Sequence, residues 1–183
     1  MVEFFRTKFY QDKFSKQYES KISLAIDWLW QLTDSSTGNT PNLGANDGAM
    51  LLQLTGTTYR DFRPSLQLAG TLFSGKRFYS HEEADTILDW LEINFENIPV
   101  SDKNPESCLM GDGGYATLIG EGCWGVVSFP RFRFRPSHAD LMHLEVLDRG
   151  VPVVCDGGTY SYNTNEPWLN YFQGVESHNT VQF

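Results

Sequence analysis

The sequence predicts an α+β chain, with helices in its first part and antiparallel strands in its second. Apolar residues recur at helical spacing up to Leu91. From Tyr115 onward the pattern has period two, as in strands with one buried face. Between the two lies a stretch rich in Pro, Asn, Asp and Ser that ends in the turn run Gly111-Asp-Gly-Gly114. The expected organisation is a helical part over residues 1–98, a linker over 99–111 and a sheet part over 112–183.

In the helical part, Ile22, Leu24, Ala25, Ile26, Trp28, Leu29 and Leu32 form a wide stripe over Ser20 to Leu32, buried on much of its circumference. Thr33 to Pro41 is a loop by composition. A second helix is expected over Asp61 to Phe73, with Pro64 in its first turn and Gly75 after its end. A third follows the capping box Ser80-His-Glu-Glu83 and continues through Ala84, Ile87, Leu88 and Leu91. Helices with broad apolar faces joined by loops suggest a helical array or toroid.

In the sheet part, Tyr115 to Ile119 and Cys123 to Phe129 read as strands joined by Gly120-Glu-Gly122. Arg131, Arg133 and Arg135 alternate with Phe132 and Phe134, which on a strand separates three guanidinium groups from two rings. His138 to Leu147 and Val151 to Cys155 read as a further pair turned at Asp148-Arg-Gly150, and Ser177 to Val181 as another strand. The run His178-Asn-Thr-Val-Gln-Phe183 reads as a strand in mid-course, so the chain is expected to be a piece of something longer.

Composition narrows the function classes. The chain has 183 residues, 40% of them apolar and 20% charged, which is enough to bury a core. The net charge of -9 argues against general nucleic-acid binding. No apolar run is long enough to insert across a membrane as a helix. Met1-Val-Glu-Phe-Phe-Arg6 lacks the basic and apolar regions of a secretory signal. The three cysteines, Cys108, Cys123 and Cys155, make no CxxC pair. Cys123 and Cys155 are expected as buried thiols, with a Cys108–Cys123 disulfide left open.

The chemistry-bearing residues lie in the second part. His138 opens the context Arg-Pro-Ser-His-Ala-Asp140, and strand parity sets His138 and Asp140 on one face and His143 on the other. Asp156 ends an apolar strand before two glycines, and His178 opens the last segment. Two imidazoles and a carboxylate from three segments suit Zn²⁺ if they converge; otherwise His138 simply hydrogen-bonds Asp156. Arg131, Arg133 and Arg135 form either a solvated face or a positive strip suited to carboxylates and sulfates. Tyr160 and Tyr162 belong to the core or to a cleft wall.

Ser137-His-Ala-Asp140, Leu144-Glu145, Gly150-Val-Pro-Val-Val-Cys-Asp156-Gly-Gly-Thr-Tyr-Ser-Tyr162, Tyr171-Phe172 and Ser177-His-Asn-Thr-Val181 together resemble the heparinase II/III-like family. The order and intervals match over Arg135 to Phe183, and Pro41-Asn-Leu-Gly-Ala-Asn-Asp-Gly48 is similar to a segment late in the family's helical domain. The resemblance implies the last helices of an (α/α) toroid followed by the start of an antiparallel β-sandwich, truncated at both ends. It implies a polysaccharide lyase acting on acidic, uronic-acid-containing polymers by β-elimination, in the periplasm or cell envelope. A base removes the proton beside the uronate carboxyl and an acid, often Tyr, protonates the leaving oxygen. The resemblance also implies Zn²⁺ on His138, Asp156 and His178.

The chain departs from the family in two places. Pro136 stands where many members carry a catalytic His, and Tyr10 and Tyr18 lack the surroundings of the family's toroid Tyr. Tyr162 is the candidate left for a catalytic or cleft-lining role. The isolated chain is therefore expected to be inactive. Its alternatives are a non-catalytic polysaccharide-binding or structural module with a metal site, or a cupin-like metal-binding sandwich with other chemistry.

Overall fold

The computed structural model describes residues 15–46, 48–50, 53–80, 82–133 and 136–182. Tyr10, Asp47, Leu51, Leu52, His81, Phe134, Arg135 and Phe183 lie outside them. The chain is α+β and divides into two units. One holds Met1–Trp30 and Leu52–Asn104, the other Gln31–Leu51 and Pro105–Phe183. The loop after the first helix thus packs with the sheet, although its sequence neighbours are helical.

In the helical unit, α1 runs Lys16–Gln31, α2 Arg63–Ala69 and α3 Glu82–Trp90. Pro64 fits the first turn of α2, where its missing N–H costs nothing. The helix continues as a π-helical turn over Gly70–Ser74, so it ends close to the expected Phe73. Ile26, Trp30, Leu66, Phe78, Tyr79 and Ala84 make the core, flanked by Ile22, Leu29, Ala69 and Phe73. The buried stripe of α1 is narrower than its composition suggests, since Leu24 is 67% exposed.

One buried side-chain amide organises the backbone of this unit. Gln67 on α2 is fully buried and uses both ends of its amide. Its Nε2 donates to the Tyr79 carbonyl at 2.8 Å and to Asp85 at 2.5 Å. Its Oε1 accepts the N–H groups of Phe78 and Tyr79 at 2.8 and 3.0 Å. Arg77 pairs with the other oxygen of Asp85 at 2.8 Å. One amide thereby satisfies the irregular backbone before α3, where no sheet or helix ladder does so.

The second unit is built on a five-stranded antiparallel meander, β1 (Cys108–Met110), β2 (Tyr115–Gly120), β3 (Cys123–Ser128), β4 (His143–Asp148) and β5 (Val151–Val154), in that spatial order. β1 begins inside the stretch whose composition reads as linker. Trp124 pairs with Leu147, Val126 with Glu145 and Ser128 with His143, and all six side chains are buried on one face. The opposite face is apolar and open: Leu109, Leu118 and Val151 are 73%, 62% and 63% exposed. A short helix, α4 (Glu166–Gln173), and a 3-10 turn, Val175–Ser177, complete the unit.

Several expectations are corrected here. Residues 131–133 are in no strand, since β3 stops at Ser128 and Pro130 and Pro136 deny the segment ladder donors. Arg131 and Arg133 are exposed. β4 begins at His143, not His138, and Met142 before it has φ 62°. Residues 178–182 are not a strand, and a 3-10 turn occupies Ser177. All three cysteines are free, and Cys123 and Cys155 are exposed, not buried. Cys123 shares the open face of the sheet, one position out of phase with Trp124.

Candidate metal centre

The inner face of β4 carries a histidine and a carboxylate where a core would ordinarily carry apolar residues. His143 and Glu145 alternate with Leu144 and Val146, so period two turns both inward. They are 2% and 1% exposed. Parity from a strand starting at His138 sends His143 to the wrong face. The turn at Leu141-Met142 breaks that count, and the hydrogen bond from His143 N–H to the Asp140 carbonyl (3.2 Å) closes it.

Asp156 lies two residues past the end of β5. The N–H of Gly157 donates to the Ser177 carbonyl at 2.9 Å, which ties this loop to the 3-10 turn. A Cβ on residue 157 would stand 3.0 Å from the Ser177 Cβ and carbonyl oxygen, so glycine permits the approach. His178 follows the turn directly, and its Nδ1 lies 2.7 Å from Asp156 Oδ2. Asp156 Oδ1 accepts the Gly158 N–H at 2.6 Å and the Asn42 side-chain amide at 3.4 Å. Burial pushes the Asp156 carboxyl up. The hydrogen bonds from His178 and Gly158 and the charges of His178 and His143 outweigh burial and hold it below the usual range.

His138 lies outside any strand, held by the Ala139 N–H on the Gln173 carbonyl at 2.9 Å. Its ring is 3% exposed and packs on His178 with centroids 5.3 Å apart. His143 meets His178 edge-on at 5.8 Å. Desolvation, then the charge of His178, lowers the His138 pKa, against the opposing pull of Asp140 and Asp156.

The structure brings His143, Asp156 and His178 together with Glu145 beside His143, whereas His138 packs its ring on His178 and is not in the group whose ligand atoms converge. Ligand atoms of His143, Asp156 and His178 all lie within 4.8 Å of one another, a His/Asp/His group able to hold a metal ion. Both ring nitrogens of His138 and the Nε2 atoms of His143 and His178 have no hydrogen-bond partner among the described residues. The unpartnered imidazole nitrogens of His138 and His178, in one buried cluster beside a carboxylate, fit a borderline-soft cation. His138 need not be Asp156's partner, because His178 already is.

The remaining candidates sit elsewhere. Arg131 and Arg133 are exposed and outside any strand, and Arg135 lies outside the described residues. Tyr162 is half exposed, and its hydroxyl donates to the Ala45 carbonyl at 3.0 Å. Sequence reasoning missed Glu145 as part of the site and assigned His143 away from it. A His-x-Glu alternation leading an apolar strand was the available signal.

Residues 102–183 match the family described as Heparinase II/III-like, C-terminal. No curated protein matches the chain. His138, His143, Glu145, Asp156 and His178 all fall inside that match.

Proposed function

We propose that this chain supplies the sheet-domain wall of a lyase that cleaves an acidic, uronic-acid-containing polysaccharide by β-elimination. The observation that carries the reading is the coincidence of the family match with the buried His/Asp cluster. His138, Asp156 and His178 hold Zn²⁺ in this reading; His138 is included because both its nitrogens lack partners among the described residues. The ion supplies fixed positive charge that orders the strand ends around it. Exposed Arg131 and Arg133, with Arg135, attract the polymer's carboxylates or sulfates, and Arg suits such planar anions. Tyr162 ties the segment of Ala45 to the sheet unit and lines the cleft.

The architecture is read in the same way. The helices are the end of an (α/α) toroid expected over 1–98, and the meander, which already begins at Cys108, is the first sheet of a sandwich expected over 112–183. The open apolar face bearing Leu109, Leu118 and Val151 supports this, because a second sheet would bury it. Periplasm or cell envelope is the location this reading carries.

Full-length protein incubated with glycosaminoglycans, alginate and bacterial exopolysaccharides should release unsaturated uronate, read by ultraviolet absorbance. No product from any polymer, with the protein folded, contradicts a lyase. Pro136 favours a second reading, a polysaccharide-binding module without turnover, since a pyrrolidine ring cannot move a proton. Affinity electrophoresis separates the two: a binder is retarded by a polymer whose length stays unchanged.

A further inference from the structure

His143 has its tautomer dictated by the backbone. The main-chain N–H of Asn179 donates to His143 Nδ1 at 3.1 Å. A ring nitrogen that accepts a hydrogen bond carries no proton, so the neutral ring is protonated on Nε2. For Nε2 to bind a metal while Nδ1 accepts the amide, the ring would have to be an imidazolate. Nε2 lies 3.6 Å from Glu145 Oε1 and 3.6 Å from Asp156 Oδ2, within ion-pair range of both buried carboxylates and just beyond hydrogen-bond range. Glu145 Oε1 also accepts the Asn42 N–H at 2.7 Å, and the Asn42 side chain reaches Asp156 Oδ1.

From this geometry we infer that His143 is a positioning residue and not a metal ligand: its Nε2–H faces Glu145 and Asp156 at ion-pair distance and orients the Asp156 carboxylate for the ion. The inference rests on the reading that His138, Asp156 and His178 hold that ion. Glu145 is the buried counter-charge that, with Asn42, fixes the donor from behind. The geometry thereby sorts the three clustered histidines by chemistry. His138 and His178 offer lone pairs, and His143 offers a proton. Partners behind a ligand are typically worth about 10–100-fold in metal affinity, where a ligand decides whether the ion binds at all.

The test uses the whole chain, with ¹⁵N-labelled histidine, loaded with ¹¹³Cd²⁺ as the probe ion. Nitrogen–cadmium couplings are expected to His138 and His178 and not to His143, whose Nε2 should show a directly bound proton. In parallel, zinc titrations compare His143→Leu, His143→Gln and His138→Ala. His143→Leu should keep one zinc with affinity lowered about 10–100-fold. His143→Gln, which restores an N–H donor at that place, should recover most of the loss, and His138→Ala should lose stoichiometric zinc. A coupling to His143, or zinc lost in His143→Leu but kept in His138→Ala, overturns the inference. If His143→Leu does not fold, the Gln variant and the couplings decide. If the wild type binds no metal, the ligand reading fails, and the tautomer is read in the metal-free chain: a proton on Nδ1 overturns the role given to His143, and a proton on Nε2 upholds the donor assignment alone.

Discussion

Asp156 accepts hydrogen bonds from two sides, and His138 is buried without a partner among the described residues. Both facts have a pH signature in the metal-free chain. The folded pKa of His138 is lowered, so its contribution to stability is present above the ordinary histidine value of about 6.5. It is lost as pH falls through that value, because the unfolded chain takes the proton more readily. Asp156 is also lowered, so its contribution persists until pH falls below its ordinary 3.8. Urea midpoints should therefore decline from about pH 6.5 downward, and His138→Phe should flatten that first decline; a variant with an unchanged profile would contradict it. Asp156 and His178 were legible from sequence as a strand-end acid and a histidine in the family's order. His143 was not, because a single positive-φ residue, Met142, resets the face on which it falls.

The hairpin β4–β5 turns on Arg149 and Gly150, with φ 48° and 77°, the two left-handed positions of a type I′ turn. A Cβ at Gly150 would lie 2.7 Å from Thr37 Cγ2. Gly150→Ala should destabilise the sheet unit by more than about 1 kcal/mol, whereas Gly120→Ala, with nothing near its Cβ site, should be nearly neutral. Equal urea midpoints for the two variants would refute the turn assignment. Gln67→Leu should cost about 2–4 kcal/mol, since it strands the N–H groups of Phe78 and Tyr79 and a carbonyl inside the helical core. The four longer strands and three helices show in apolar spacing. α4 goes unread although Trp168, Tyr171 and Phe172 fall on one face at i, i+3 and i+4, because none of its residues is buried and it spans only two turns between Pro167 and Gly174. The strand expected over Arg131–Arg135 is missing from its described residues, 131–133, because alternation is a statement about side chains, and prolines act on the backbone.

Across the whole chain, two units follow the two hydrophobic periods, but the break between them does not follow the sequence. Gln31–Leu51 belongs with the sheet through Asn42 on Glu145 and Asp156, and Tyr162 on Ala45. Such pairings over more than a hundred residues leave no trace in local composition. Because they converge on the cluster, metal binding and this loop should be linked. Chelation is expected to lower the melting temperature and raise amide exchange in residues 34–46, and readdition of zinc to reverse both. Exchange unchanged by chelation would separate the loop from the site.

The claim on which the account turns is that one ion sits among His138, Asp156 and His178. Anomalous diffraction at the zinc edge, on crystals of the chain purified with zinc, locates that ion directly. The account predicts a single peak per chain at about 2.0–2.2 Å from an imidazole nitrogen of each histidine and from an Asp156 oxygen. A cluster without a peak, or a peak bonded to His143 in place of His138, would contradict it.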